Sequence, residues 1–165
     1  MKKKFALTFV SLASVALLAA CGEVSTTGNS GSSSANAGTE VGKTLKVGFN
    51  FEETGDVASY GTAEQKGAQL AVDEINKAGG VDGKQIEVTD KDNKSELSEA
   101  ATVSTNLVTQ AKVNAIVGPA TSGGTGAAVT NAAKASVPLV TPSGTQDDLT
   151  KGQEYLFRAT FIDSF

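Results

Sequence analysis

"VGPATSGGTG", residues 117–126, is a glycine-rich stretch whose reading decides the fold. Upstream of its glycines lies the short apolar run Asn114-Ala115-Ile116-Val117. Downstream lies Ala127-Ala128-Val129-Thr130-Asn131-Ala132-Ala133, with helix-forming alanines. The pattern predicts a turn between a strand and a helix. Such turns gather unpaired backbone N–H groups at the helix start and commonly receive an anion. Whether that anion is a nucleotide phosphate or something smaller depends on the rest of the chain.

On both sides the same alternation continues. Leu45 to Phe51 reads as a strand, and residues 62–78 place Ala68, Ala71, Val72, Ile75 and Ala78 on one helical face until Gly79-Gly80 stops the helix. Lys84 to Thr89 reads as a second strand. Ser95 and Glu96 then begin a helix whose Leu97, Ala100, Ala101, Leu107, Val108 and Ala111 share a face. The third strand is Asn114 to Gly118, followed by a small-residue helix to about Ala135. Val137 to Thr141 and Tyr155 to Thr160 read as the fourth and fifth strands. Strands alternating with helices predict an α/β fold with a doubly wound, mostly parallel sheet. In such sheets ligands sit at the carboxyl ends of the strands. That rule puts Phe51 to Gly61, Gly118 to Thr125 and Thr141 to Thr145 on one rim.

The first forty or so residues read differently. Lys2, Lys3 and Lys4 precede an apolar run, Phe5 to Leu18, and then Leu18-Ala19-Ala20-Cys21. This is the layout of a secretion signal, and the apolar run is shorter than the about 20 residues a spanning helix needs. Leu-Ala-Ala-Cys resembles the bacterial lipobox, in which the cysteine is diacylated and becomes the new N-terminus. The expected organisation is a lipoprotein signal peptide over residues 1–20, a lipidated flexible linker over 21–43 and a folded domain over 44–165. Cys21 is the expected lipidation site, anchoring the chain to the outer face of the cytoplasmic membrane. The linker is almost all Gly, Ser, Thr, Asn and Ala, too poor in apolar surface to fold. Losing three lysines takes the 14 basic residues to 11 against 18 acidic, a net charge of −7. With neither a basic patch nor an aromatic ladder, nucleic acid is not an expected partner.

The chemistry narrows by residue type. A phosphate loop requires G-x-x-x-x-G-K-[ST]; Gly118, Gly123 and Thr125 fit, but Gly124 stands in the lysine's place. The dinucleotide pattern G-x-G-x-x-G is absent from the first strand–helix turn. The chain has no histidine, which excludes a Ser-His-Asp triad, a Cys-His pair and a His-based zinc site within it. Asp90-Lys91-Asp92-Asn93 hints at a calcium loop, yet Ser95 and Ala101 stand where Gly and Glu belong, so a solvated strand end is the reading. No enzyme, metal or cofactor is expected. The rim is small, neutral and rich in hydroxyls: Tyr60, Thr121, Ser122, Thr125, Thr141, Ser143 and Thr145. Backbone N–H groups at the helix start suit one carboxylate. Equally, Ser122 could simply cap the helix and Tyr60 fill a loop. Residue chemistry leaves both readings open.

From Leu45 to Phe165 the chain resembles the type I periplasmic-binding-protein fold, and within it the branched-chain amino-acid binding lipoproteins of ABC importers. The resemblance rests on "TGDVASYG", "GAQLAVDEINKAGGVDGKQIEV", "VGPATSGGT" and "PLVTPSGTQDDLT", in register. It implies a two-lobed clamp that closes over leucine, isoleucine, valine or a similar amino acid and delivers it to an ABC permease and its ATPase. It implies ligand-binding roles for Ser122, whose hydroxyl and nearby backbone N–H groups meet the α-carboxylate, for Ser143, through its carbonyl, and Thr145, through its hydroxyl, near the α-ammonium, and for Tyr60, against the ligand side chain. Glu52 and Glu53 depart from a Pro-Leu pair common in the family, which implies a differently seated loop before Tyr60. Lys94 and Thr121 stand where some members carry a disulfide. The resemblance covers the first lobe, so the expectation is a truncated N-terminal part with the second lobe absent. A membrane-anchored sensing or adhesive lipoprotein with the same fold is the alternative.

Overall fold

The computed structural model describes residues 41–165, which form a five-stranded, wholly parallel sheet with helices on both faces. In chain order the elements are β1 (Leu45–Phe51), α1 (Ala58–Lys77), β2 (Ile86–Asp92), α2 (Leu97–Asn106), β3 (Ala115–Val117), α3 (Ser122–Lys134), β4 (Leu139–Thr141) and β5 (Leu156–Arg158). A π-helical turn, Leu107–Ala111, continues α2. The strand order is β2-β1-β3-β4-β5. The chain leaves β1 toward β2 on one side and later returns to pair β3 on the other. The sheet direction therefore reverses at β1, and a crevice opens at the carboxyl ends of β1 and β3.

Alternation along β1 divides the core in two. Val47, Phe49 and Phe51 face α1 and pack with Val72, Ala68, Ile86, Val88 and Val117. The two phenyl rings meet edge to face, 5.7 Å apart. Gly48, Asn50 and Glu52 face the opposite side. A Cβ on Gly48 would stand 2.8 Å from Leu107, and Asn50 Nδ2 donates to the Ala100 carbonyl at 3.0 Å. On that side Val103, Leu107, Val108, Ile116, Ala128, Val129, Ala132 and Leu139 form the larger cluster under α2 and α3. Ser104, fully buried, ties α2 to α3 by donating to the Ala128 carbonyl at 2.8 Å.

Four local expectations are corrected. α1 begins at Ala58 rather than residue 62, so Tyr60 lies in a helix and not in a loop. Its Val57 cap makes no side-chain hydrogen bond, so the sequence carries no start signal there. Of the face expected to be buried, Val72 is buried but Ala71, Ile75 and Ala78 are exposed. Asn76 fastens the helix instead, through bonds of 2.9 and 2.7 Å with the Ile86 carbonyl and amide. β2 runs on to Asp92 because it stays paired with β1 up to Phe51. Leu97, expected on the buried face of α2, is 56% exposed.

Candidate functional site

The site is built where β1, β3 and β4 end. Immediately after β1, Glu52 is 1% exposed and its carboxylate accepts from the amides of Ala120 (2.9 Å) and Thr121 (3.2 Å) and from the Thr121 hydroxyl (2.8 Å). The first amides of a helix have no intrahelical partner and carry partial positive charge, which suits a carboxylate. Thr121 is the helix cap: its Oγ1 accepts from the Gly124 amide at 3.1 Å. The Ser122 capping reading is thereby corrected, since Ser122 is the first residue of α3 itself. Thr125 N already bonds to the Thr121 carbonyl. Ser122 and Gly123 are thus left with amides that have no intrahelical acceptor.

The turn before α3 demands glycine at one position. Gly118 has φ +92, and a Cβ there would lie 2.4 Å from the Asn50 carbonyl oxygen. The peptide bond that follows, to Pro119, is cis. Thr141 donates to the Pro119 carbonyl at 2.8 Å, Thr125 has the Thr121 carbonyl at 2.8 Å and the Pro119 carbonyl at 3.1 Å within reach of its one hydroxyl proton, and both residues are fully buried. These two rim hydroxyls hold the turn and do not line the cleft.

The loop after β4 is fixed from several sides. Thr141 Oγ1 accepts from the Gly144 amide at 3.0 Å, and Arg158 Nη1 donates to the carbonyls of Gly144 (3.3 Å) and Gln146 (2.7 Å). The Gln146 amide donates to Ser122 Oγ at 3.1 Å, joining the loop to the start of α3. Ser122 Oγ thus accepts one bond, and its own hydroxyl proton is available to an incoming acceptor.

Between these elements lies a cleft of ≈ 400 Å³, lined by Tyr60, Ser122, Ser143 and Thr145 together with Val57, Ala120, Thr121, Thr160 and Phe161. The four residues singled out from the sequence are therefore brought to one cavity. Cys21 lies outside the described residues. Amides and hydroxyls at α3 offer donors on one wall. Tyr60 and Phe161, 63% and 65% exposed, give the opening an apolar edge.

Sequence reasoning missed Phe161 and Thr160, which follow β5 with no motif to mark them, and the acidic Glu64. Glu64 lies one turn beyond Tyr60 in α1 and accepts a hydrogen bond from the Ser143 hydroxyl. Burial pushes its carboxyl above the usual range; the Ser143 bond opposes that rise and the charge of Glu52 adds to it. Its position four residues after Tyr60, on the same helical face, was the available signal.

Glu53 is raised to about 7, first by burial and then by the charge and hydrogen bond of Asp90 and the charge of Asp92. Asp92 is held low. Burial alone would raise it, but the Thr54 hydroxyl and the amides of Lys94, Thr54 and Glu53 outweigh that. Asp92 is therefore a clamp on the loop entering α1 and not a solvated strand end.

Residues 44–164 match the periplasmic binding protein family model. The chain resembles the branched-chain amino acid transporter substrate binding protein LivJ from Streptococcus pneumoniae, solved in complex with isoleucine. The two are 76% identical with a TM-score of 0.73, over 74% of this chain and 35% of that one. The leucine binding protein LivK from Thermotoga maritima is 30% identical, with a TM-score of 0.67 over 72% of this chain and 33% of that chain. The leucine-, isoleucine-, valine-, threonine-, and alanine-binding protein of Pseudomonas aeruginosa is 34% identical over 122 residues, which are 73% of this chain and 32% of that protein. The chain thus spans about a third of the length of these relatives. With 121 of its residues, 44–164, matched to that model, the chain belongs to the periplasmic binding protein family.

Proposed function

We propose that this chain is the first lobe of the substrate-binding component of an ABC importer, and that it captures leucine, isoleucine, valine or a similar amino acid. One observation carries the reading: Tyr60, Ser122, Ser143 and Thr145 line a single cleft at the start of α3. Ser122, with its hydroxyl proton and an amide that has no intrahelical acceptor, receives the α-carboxylate. Ser143 and Thr145 receive the α-ammonium, and Tyr60 lies against the side chain. The 76% identity to a protein solved with isoleucine supports the ligand class. The second half of the clamp, the permease and the ATPase belong to the proposal. So does an anchor on the outer face of the cytoplasmic membrane through acylated Cys21, with residues 1–20 as signal peptide, 21–43 as tether and 44–165 as the lobe.

Calorimetric titration of the three branched-chain amino acids into the full-length polypeptide carrying this sequence tests the capture. Saturable binding of at least one is expected, and no binding of any would overturn the reading. A Cys21→Ala protein that stays in the membrane fraction would overturn the anchor.

A further inference from the structure

Glu64 has a feature that the capture reading does not use. Its Oε1 accepts from the Ser143 hydroxyl, while Oε2 is buried without a hydrogen-bond partner among the described residues. Ser143 lines the cleft and Glu64 does not, so the carboxyl stands behind the serine. Glu52 at the end of β1 contributes negative charge to it, and Arg158 Nη1 of β5 donates to the Gly144 and Gln146 carbonyls. On α1 itself Gln65 turns to Asp90 of β2, at 2.6 Å. A serine hydroxyl has one proton to give. With that proton committed to Glu64, its oxygen offers only lone pairs elsewhere.

Resting on the proposed amino-acid capture, we propose that Glu64 is a positioning residue: by accepting from Ser143 it fixes that hydroxyl as an acceptor for the ligand's ammonium group, leaving the carboxylate to the start of α3. The two walls of the cleft then have opposite polarity, and a zwitterion binds in one orientation. Glu64 also becomes a second reader of the ammonium charge. An orphaned buried carboxylate oxygen is least costly with a proton on it, which is the physical cause of the carboxyl's rise. A cation beyond Ser143 favours the ionised form. Ligand capture therefore favours the ionised form of Glu64, and affinity falls as pH falls through the Glu64 titration.

The test is calorimetric titration of L-isoleucine into the full-length polypeptide from about pH 5 to about pH 8, in two buffers of different ionisation enthalpy. The native protein is expected to release a proton on binding and to lose about tenfold in affinity on acidification, the effect of one hydrogen bond to a charged group. Glu64→Gln keeps the acceptor and removes the charge. It should bind about tenfold more weakly at neutral pH, with no proton release and no pH slope. A Gln variant with native affinity and the native pH slope overturns the proposal. If thermal melting shows that variant unfolded, Ser143→Ala decides: proton release that persists without the serine hydroxyl overturns the coupling. Native binding that is independent of pH overturns the role of Glu64 alone. Absence of native binding at every pH overturns the capture reading on which it rests.

Discussion

α1 and α3 both begin at the cleft, on opposite faces of the sheet, and are held there by different means. α3 is tied by polar groups: Thr121 caps it, the Glu52 carboxylate takes the amides just before it, and Gly124, Thr125, Ala128, Val129 and Ala132 are buried along it. α1 has no side-chain cap, buries only Gly61 and Val72, and leaves Leu70 59% and Ile75 38% exposed. What seats α1 is closeness. A Cβ on Gly61 would lie 2.2 Å from the Glu52 carbonyl oxygen, so the first turn rests directly on the backbone leaving β1. The wall built on α3 is thus specified by hydrogen bonds, whereas the wall carrying Tyr60 is specified by steric fit. Glu52 serves both, with its side chain under α3 and its backbone under α1.

The largest expected effect breaks the polar wall. Glu52→Ala leaves the buried Ala120 amide and the half-buried Thr121 amide and hydroxyl without their acceptor and should cost about 3–5 kcal/mol in urea unfolding. A loss below about 1 kcal/mol would show that α3 starts without it. Breaking the steric wall comes next. Gly61→Ala forces α1 off β1 and should cost about 1–3 kcal/mol, with weaker ligand binding because Tyr60 moves with the first turn. Native stability and native affinity together would show that the contact relaxes freely.

A paired experiment sharpens the comparison within α3. Thr121→Ala should lose about 1 kcal/mol of stability as a cap. Ser122→Ala should lose little stability but about 1.5–3 kcal/mol of amino-acid affinity. The reverse assignment would return Ser122 to a capping role.

The smallest effect concerns the loop entering α1. The Glu53 carboxyl is raised to about 7, so the folded state keeps a proton that the unfolded chain releases above the ordinary value of 4.5. Its contribution to stability is present below that value and is lost as pH rises toward 7. Asp92 works in the opposite sense: its contribution is present above 3.8 and is lost as pH falls through its depressed value. Glu53→Gln should flatten the decline in melting temperature between about pH 5 and about pH 7. A decline as steep as that of the native protein would assign it to other groups, Glu64 foremost.

The polar half was legible in the sequence and the steric half was not. Residues 117–126 announce a strand, a turn and a helix start because glycine, proline and threonine each restrict the backbone locally. The rim therefore gathered Ser122, Ser143 and Thr145 before any coordinates. Tyr60 was placed on the same rim, but its helix was misplaced because Val57 is no cap and Gly61 interrupts the helical pattern. That glycine answers to a contact with Glu52, nine residues away in the chain, which no local pattern encodes. The acidic residues failed for the same reason. Glu52 looked like an intrusion next to a strand, yet its acceptors' partners lie 68 and 69 residues downstream. Glu64 meets Ser143 across 79. The exposure of Ile75 likewise ran against a sound periodicity, because Asn76 fastens that end of α1 to β2 instead.

The seating of Glu52 has a consequence in the time domain. With an internal carboxylate already resting on the Ala120 and Thr121 amides, the receiving end of α3 is ordered before any ligand arrives. Under the proposed capture, encounter with that wall needs no local folding step, so its association rate is set by diffusion and orientation. Differences among amino acids should then appear chiefly in how long each one stays.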